Sequence, residues 1–219
     1  MIDLSLSKRE SLRLLCLGAH CDDIEIGCGG TILKLAAGGR EMEVHWLVFS
    51  SDEQRKREAL KSAEGFLCGI VTKKVTIHGL RDGFFPYVGA ELKERFEELK
   101  SDLSPDLILT HYRHDLHQDH RLVSELTWNT FRNHLILEYE IPKYDGDFGS
   151  PNFFVPLDES ISRRKIDIIL AAFQSQSDKH WFSRDLFSAV LRLRGMEANA
   201  CTGYAEGFYC RKAVLATEV

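Results

Sequence analysis

Ser11-Leu12-Arg13-Leu14-Leu15-Cys16-Leu17-Gly18 is a short, nearly continuous apolar run, the pattern of a strand covered on both faces within a parallel sheet. It predicts a strand that ends near Gly18. Downstream, Gly27-Cys28-Gly29-Gly30 reads as a loop leading into a helix over 31–37, which Gly38-Gly39 would close. The unit then repeats. Strands are expected over 43–50 and 74–78 and helices over 53–67 and 91–103. Beyond Pro105 follow a strand over 106–111, a helix over 118–134 and a strand over 135–141.

Strands alternating with helix-length connections imply βαβ units. The expected fold is therefore α/β, a Rossmann-like three-layer sandwich with a mostly parallel sheet. Residues 142–156 carry three Pro and two Gly, so an irregular loop is expected there, its aromatics (Tyr144, Phe148, Phe153, Phe154) walling a pocket. Two helices near 160–175 and 183–194 precede a last apolar segment over 204–215. Neither an internal repeat nor a linker divides the chain, so 1–219 reads as a single domain.

Composition narrows the function classes. With 44% hydrophobic and 28% charged residues and only five Pro, disorder and fibrous architectures drop out. A formal charge of -5 argues against a nucleic-acid groove, because phosphate binding needs a concentrated basic face. The one basic cluster, Arg55-Lys56-Arg57, is flanked by Glu53 and Glu58 and reads as a solvated helix face. No run approaches the ~18 apolar residues of a membrane span, and residues 1–13 show no signal core, so a cytoplasmic location is expected. Six cysteines form no C-x-x-C pair, which removes zinc ribbons and thioredoxin chemistry and leaves most of them as small buried hydrophobes. The oligomeric state stays open, a homo-oligomer included.

Two constellations carry chemistry. Ala19-His20-Cys21-Asp22-Asp23 lies just beyond the carboxyl end of the first strand, where open α/β sheets bind ligands. In a tight turn His20 and Asp23 can converge on one point while Asp22 points elsewhere. The two carboxylates could equally do no more than cap the coming helix. The second constellation, His111-Tyr112-Arg113-His114-Asp115-Leu116-His117-Gln118-Asp119-His120, places four histidines in ten residues directly after the fourth strand. His117 and His120 share a helix face at i, i+3, so one can bind a metal while the other faces substrate. His111 and His114 stay ambiguous, and His45, His78, His134 and His180 read as structural.

Together with Glu25-Ile26-Gly27-Cys28-Gly29-Gly30-Thr31 and His117-Gln118-Asp119-His120, the first cluster resembles the PIG-L/LmbE family of zinc-dependent de-N-acetylases. The resemblance extends to Arg55-x-x-Glu58, Asp82-Gly83 and Tyr204-Ala205-Glu206-Gly207-Phe208, and so spans most of the chain. It implies Zn2+ held by His20, Asp23 and His120, with Fe2+ or another divalent ion as a substitute. It also implies Asp22 as general base, His117 as assisting acid or oxyanion stabiliser, and Arg55 and Asp82 as sugar contacts. The implied substrate is an N-acetylglucosamine-type sugar or glycoconjugate. One departure is Cys21, which stands where the family usually has Pro; its absence removes a constraint on the loop and puts a thiol beside the metal.

Three protein ligands leave an open coordination position for water, as catalytic zinc sites do. Two histidines and a carboxylate also describe non-haem iron oxygenases, but those use His-x-Asp on all-β barrels. A nucleotide-binding Rossmann-like protein is a rival from another class; Gly27-Cys28-Gly29-Gly30 lacks the G-x-G-x-x-G spacing and follows two carboxylates that would repel pyrophosphate. A metal-dependent amidase acting on a non-sugar amide is the remaining alternative.

Overall fold

The computed structural model describes residues 11–214. Along the first strand, β1 (Ser11–His20), Leu14 and Cys16 enter one hydrophobic cluster and Leu15 and Leu17 the other, the period-two signature of a strand buried on both faces. It is the middle of a sheet that also holds β2 (Glu41–Ser50), β3 (Thr72–Leu80), β4 (Leu107–His111), β5 (Leu135–Tyr139), β6 (Phe153–Leu157) and β7 (Tyr204–Cys210), in the order β3-β2-β1-β4-β5-β7-β6. β1 to β5 are mutually parallel where they pair, whereas β7 runs antiparallel to both β5 and β6.

Helices cover both faces. On one side lie α1 (Asp23–Ala37), α2 (Glu53–Phe66), α5 (Glu159–Ala172) and α6 (Arg184–Glu197), packed around Trp46, Phe66 and Tyr139. On the other lie α3 (Gly89–Asp102) and α4 (Gln118–Thr130), packed around Phe49, Phe96 and Ile108. Each buried Leu, Ile or Phe contributes roughly 1.5–3 kcal/mol, so these two clusters are what hold the layers together. Among the described residues no helix is long and apolar enough to cross a membrane.

The expected three-layer α/β fold is present, with two local corrections. Gly27-Cys28-Gly29-Gly30 is not a loop: it lies inside α1, which begins at Asp23 and is buried along its first eleven residues. The glycines are there for contact rather than bending. A methyl on Gly27 would overlap the Tyr139 ring, and one on Gly30 would meet Leu157 and the Glu206 carboxylate at 2.5 and 2.8 Å. Helix-to-sheet proximity overrides the weak helix propensity of glycine. The second correction is β6, which turns the end of the expected 142–156 loop into a strand. It carries Pro156, tolerated because β6 is the sheet edge.

β1 pairs with β2 on one side and β4 on the other, so the chain reverses its direction of travel across the sheet between β3 and β4. The segments leaving β1 and β4 diverge to opposite faces, which opens a crevice at their carboxyl ends. Both histidine-aspartate clusters leave the sheet there.

Candidate active site

The turn after β1 depends on Asp22, whose backbone sits in the left-handed region (φ 97°, ψ -18°). A non-glycine residue held there is strained by about 1–3 kcal/mol, a strain usually found at functional sites. The turn lets the His20 backbone N–H donate to Asp23 Oδ2 at 2.7 Å. The Asp22 side chain makes no capping bond to α1; its Oδ2 lies 3.1 Å from Arg55 Nη2, and the same guanidinium also donates to the Cys21 carbonyl. Arg55 is placed by α2, whose N-cap Asp52 accepts the Arg55 backbone N–H at 2.7 Å.

α4 brings His120 to this turn. His20 Nδ1 lies 3.1 Å from His120 Nε2 and 3.5 Å from Asp23 Oδ2, and His120 Nε2 lies 3.6 Å from Asp23 Oδ2. Ligand atoms about 2.0–2.1 Å from a tetrahedral zinc stand about 3.3 Å apart, so this triangle fits such an ion. His117 with His20 and His120 forms a second set, its ligand atoms within 4.8 Å of one another. A third set, Asp23, His111 and His120, is also close, but the one lone pair on His111 Nε2 accepts the Ala19 N–H at 2.9 Å.

Each histidine is oriented from behind. His20 Nε2 faces Asp82 Oδ1 at 3.0 Å and Asp119 Oδ2 at 3.2 Å, and His120 Nδ1 faces Asp115 Oδ2 at 2.9 Å. Carboxylates on the far nitrogen fix ring orientation and leave the near nitrogen able to bind a metal. Asp119 in turn accepts the Gly83 and Phe85 N–H groups at 2.7 and 3.1 Å, which ties the loop after β3 to the site. Asp115 also accepts the His117 N–H at 2.7 Å and the Lys143 ammonium at 2.9 Å.

Protonation follows from these contacts. Burial alone would lower the His20 pKa, yet Asp119, Asp23 and Asp82 together hold it well above the usual imidazole value. Burial would raise Asp23, but His120 and His111 keep it well below the carboxylate range. His120 is pushed down to about 4 by burial and by His111, so it is neutral. The carboxylates that raise the proton affinity of buried His20 would equally favour a metal cation at this point. Burial lifts Asp22 to about 6 against the pull of Arg55. His117 is the N-cap of α4, and its Nδ1 accepts the Asp119 N–H at 3.3 Å, which leaves the proton of the neutral ring on Nε2 as a donor. Its pKa is lowered, first by burial.

These groups line one cleft of about 560 Å³ that contains His20, Asp22, Asp23, His117, His120, Arg55 and Asp82, all seven residues singled out in the sequence. Asp82 is mostly exposed at its edge, bonded to His20. Cys21 is buried with its Sγ directed to the Ser50 carbonyl at 3.5 Å, away from the triangle, and burial pushes its thiol up to about 12. Tyr144, Phe148, Phe153 and Phe154 do not line this cleft; Pro142, Lys143, Gln176 and Trp181 do. Phe148 instead lies under the Arg194 guanidinium, which is pinned by a buried ion pair to Glu140. Sequence reading missed Asp115, Asp119 and Lys143. The first two lie inside the quoted histidine cluster, at even spacing from His117, while nothing local marks Lys143.

Several solved structures share this architecture. A conserved protein of Thermus thermophilus matches with a TM-score of 0.74 at 21% identity, covering 94% of this chain and 97% of its own. The N,N'-diacetylchitobiose deacetylase of Pyrococcus horikoshii matches at 0.67 and 22% identity, covering 90% and 82%. A 4-carboxy-2-hydroxymuconate hydratase of Pseudomonas putida matches at 0.73 and 18% identity, covering 95% and 99%. At such identities the likeness establishes the fold, and the hydratase shows that the fold does not dictate one reaction. The family model described as GlcNAc-PI de-N-acetylase matches residues 15–131, more than half of the chain and a stretch that includes both histidine-aspartate clusters. The chain therefore belongs to the PIG-L family.

Proposed function

We propose that this protein is a metal-dependent hydrolase that removes the acetyl group from an N-acetylated sugar of the N-acetylglucosamine type, giving acetate and the free amino sugar. The observation that carries the proposal is the triangle of His20, Asp23 and His120, with edges of 3.1–3.6 Å, beside a carboxylate that is not part of it. Family membership and the N-acetyl substrate of the Pyrococcus neighbour point to the same chemistry. We take zinc as the ion; Fe2+ suits the same two-His, one-carboxylate donor set. We place the protein in the cytoplasm.

A divalent ion held by these three residues supplies Lewis acidity, making water acidic and an amide carbonyl electrophilic. Asp22 takes the proton of the attacking water on its carboxylate, which Arg55 holds in place through Oδ2. His117 Nε2–H donates to the oxygen that gains charge as the carbonyl becomes tetrahedral. An amine leaves only when protonated, so Asp22 returns its proton to the nitrogen as the C–N bond breaks. Arg55 and Asp82, at the cleft wall, are our candidates for meeting sugar hydroxyls. The nucleotide-binding alternative finds no support, because its glycine run is buried helix rather than a phosphate cradle.

The test is acetate release across N-acetylglucosamine derivatives, measured before chelation, after chelation and after zinc is restored. Release that is lost and regained with zinc is expected. Release that ignores the chelator, or that occurs only from non-sugar amides, would overturn the reading.

A further inference from the structure

Glu58 is the half of the Arg55-x-x-Glu58 motif that the proposed chemistry leaves unused. The two residues stand at i, i+3 on α2 and so share a face. Arg55 reaches the turn after β1, whereas Glu58 reaches the turn over 173–176 that follows α5. There the Glu58 carboxylate accepts the Ser175 N–H at 2.9 Å and the Ser175 hydroxyl at 2.5 Å. The same turn sets fully buried Phe173 under the Arg55 guanidinium, 5.5 Å from the ring centroid, and places Gln176 in the wall of the cleft that holds His20, Asp23 and His120.

The direction of each hydrogen bond in this relay is fixed by chemistry. A carboxylate only accepts, and a serine hydroxyl has one proton to donate. Ser175 gives that proton to Glu58, so its oxygen acts as acceptor toward Gln176, taking the Nε2–H at 3.0 Å. The Gln176 amide is therefore held with Nε2 toward Ser175 and Oε1 on its other side. The residue is only 7% exposed, and its backbone is tied too: its N–H donates to the Phe173 carbonyl and its carbonyl accepts the Lys179 N–H, both at 3.0 Å. Oε1 meets no donor among the described residues, and it is not sealed from solvent. A carbonyl acceptor on a side chain held at both ends is a preorganised contact for a donor in the cleft.

Resting on the deacetylase reading, we propose that Gln176 binds substrate by accepting a hydrogen bond from a sugar hydroxyl at Oε1, and that Glu58 is the positioning residue that sets the direction of this amide through Ser175. The substrate is then an N-acetylated sugar whose hydroxyl at this wall is unsubstituted. Glu58→Gln reverses the relay at constant size. The Ser175 N–H still requires the carbonyl oxygen of the new side chain, so the new amide N–H donates to the Ser175 hydroxyl. That hydroxyl then donates to Gln176 Oε1, and the Gln176 amide turns its Nε2–H to the cleft. A sugar hydroxyl satisfies either direction because it both donates and accepts, whereas fluorine in its place cannot donate.

The probes are methyl N-acetylglucosaminide and its 3-, 4- and 6-deoxyfluoro analogues. For each, kcat and KM for acetate release and the calorimetric Kd are measured on metal-loaded wild type, Gln176→Met and Glu58→Gln. Ratios between compounds are taken within each variant, so a general loss of stability cancels. In the wild type one fluoro analogue should bind about three- to tenfold more weakly than the parent, the weight of one neutral hydrogen bond, with the change in KM and Kd rather than kcat. Gln176→Met should weaken the parent by the same factor and abolish that preference. Glu58→Gln should keep the parent near wild type and narrow the preference, an outcome that a merely structural role for Glu58 does not produce. Equal binding of all four compounds by the wild type, or a preference that survives Gln176→Met, overturns the Gln176 contact. A wild-type preference in Glu58→Gln overturns the relay. The expected binding pattern without acetate release would keep Gln176 and overturn the deacetylase reading, and failure of the wild type to bind any of the four would overturn both.

Discussion

Asp22 is the residue on which both the geometry and the proposed chemistry turn, since its left-handed backbone separates its carboxylate from those of its neighbours. The sequence made its neighbours legible: His20 and Asp23 at i, i+3 after a strand, and His117 and His120 at i, i+3 on a helix, are spacings that bring side chains together whatever the distant structure does. What escaped was set by distant pairing. Asp115 joins the site only through the fold, where it meets His120 and Lys143, the latter 28 positions away. This leads to a prediction. Asp115→Asn should weaken metal affinity about 10- to 100-fold, because the His120 ring loses the carboxylate that fixes it. Competition with a chromogenic chelator reads the affinity directly, and an unchanged dissociation constant would remove Asp115 from the support of the site.

At the level of elements, α1 is the piece whose position sets the site, since Asp23 opens it and its first eleven residues are buried. Its anchor lies on the far side of the chain. Glu206 of β7 accepts the Gly30 N–H at 2.7 Å, the Thr31 N–H at 2.7 Å and the Thr31 hydroxyl at 2.6 Å, and pairs with buried Lys165 of α5 at 2.6 Å. Gly30 and Glu206 are 176 residues apart, which is why the glycine run looked like a loop in the sequence: the partner that needs its narrow waist is invisible locally. Glu206→Gln leaves the Lys165 charge buried and uncompensated, a loss of about 3–5 kcal/mol. For a domain of this size that lowers the thermal midpoint by on the order of 10 °C. A thermal melt followed by circular dichroism checks this, and a midpoint within a degree or two of wild type would show that the cluster does not hold α1 in place.

For the molecule as a whole, the alternation of apolar runs and amphipathic helices made the parallel core β1 to β5 legible, because each βαβ unit is closed by local segments. The direction of β6 and β7 was not legible, since a period-two pattern carries no sense of direction and the loop before β6 is irregular. The consequence for function lies at the switch between β1 and β4. There the two clusters meet, and there the Asp22 carboxylate, our proposed proton acceptor, lines the same cleft as the His20, Asp23 and His120 triangle without belonging to it. That separation is the central claim, and one preparation of Asp22→Asn tests it. Metal content and acetate release are measured on the same sample. The variant keeps the size of the side chain and all three ligands, so metal should remain near one per chain while turnover falls about 10²- to 10⁴-fold, the usual weight of a general base. Near-normal turnover at full metal content would remove Asp22 from the chemistry, and loss of the metal would make it a ligand.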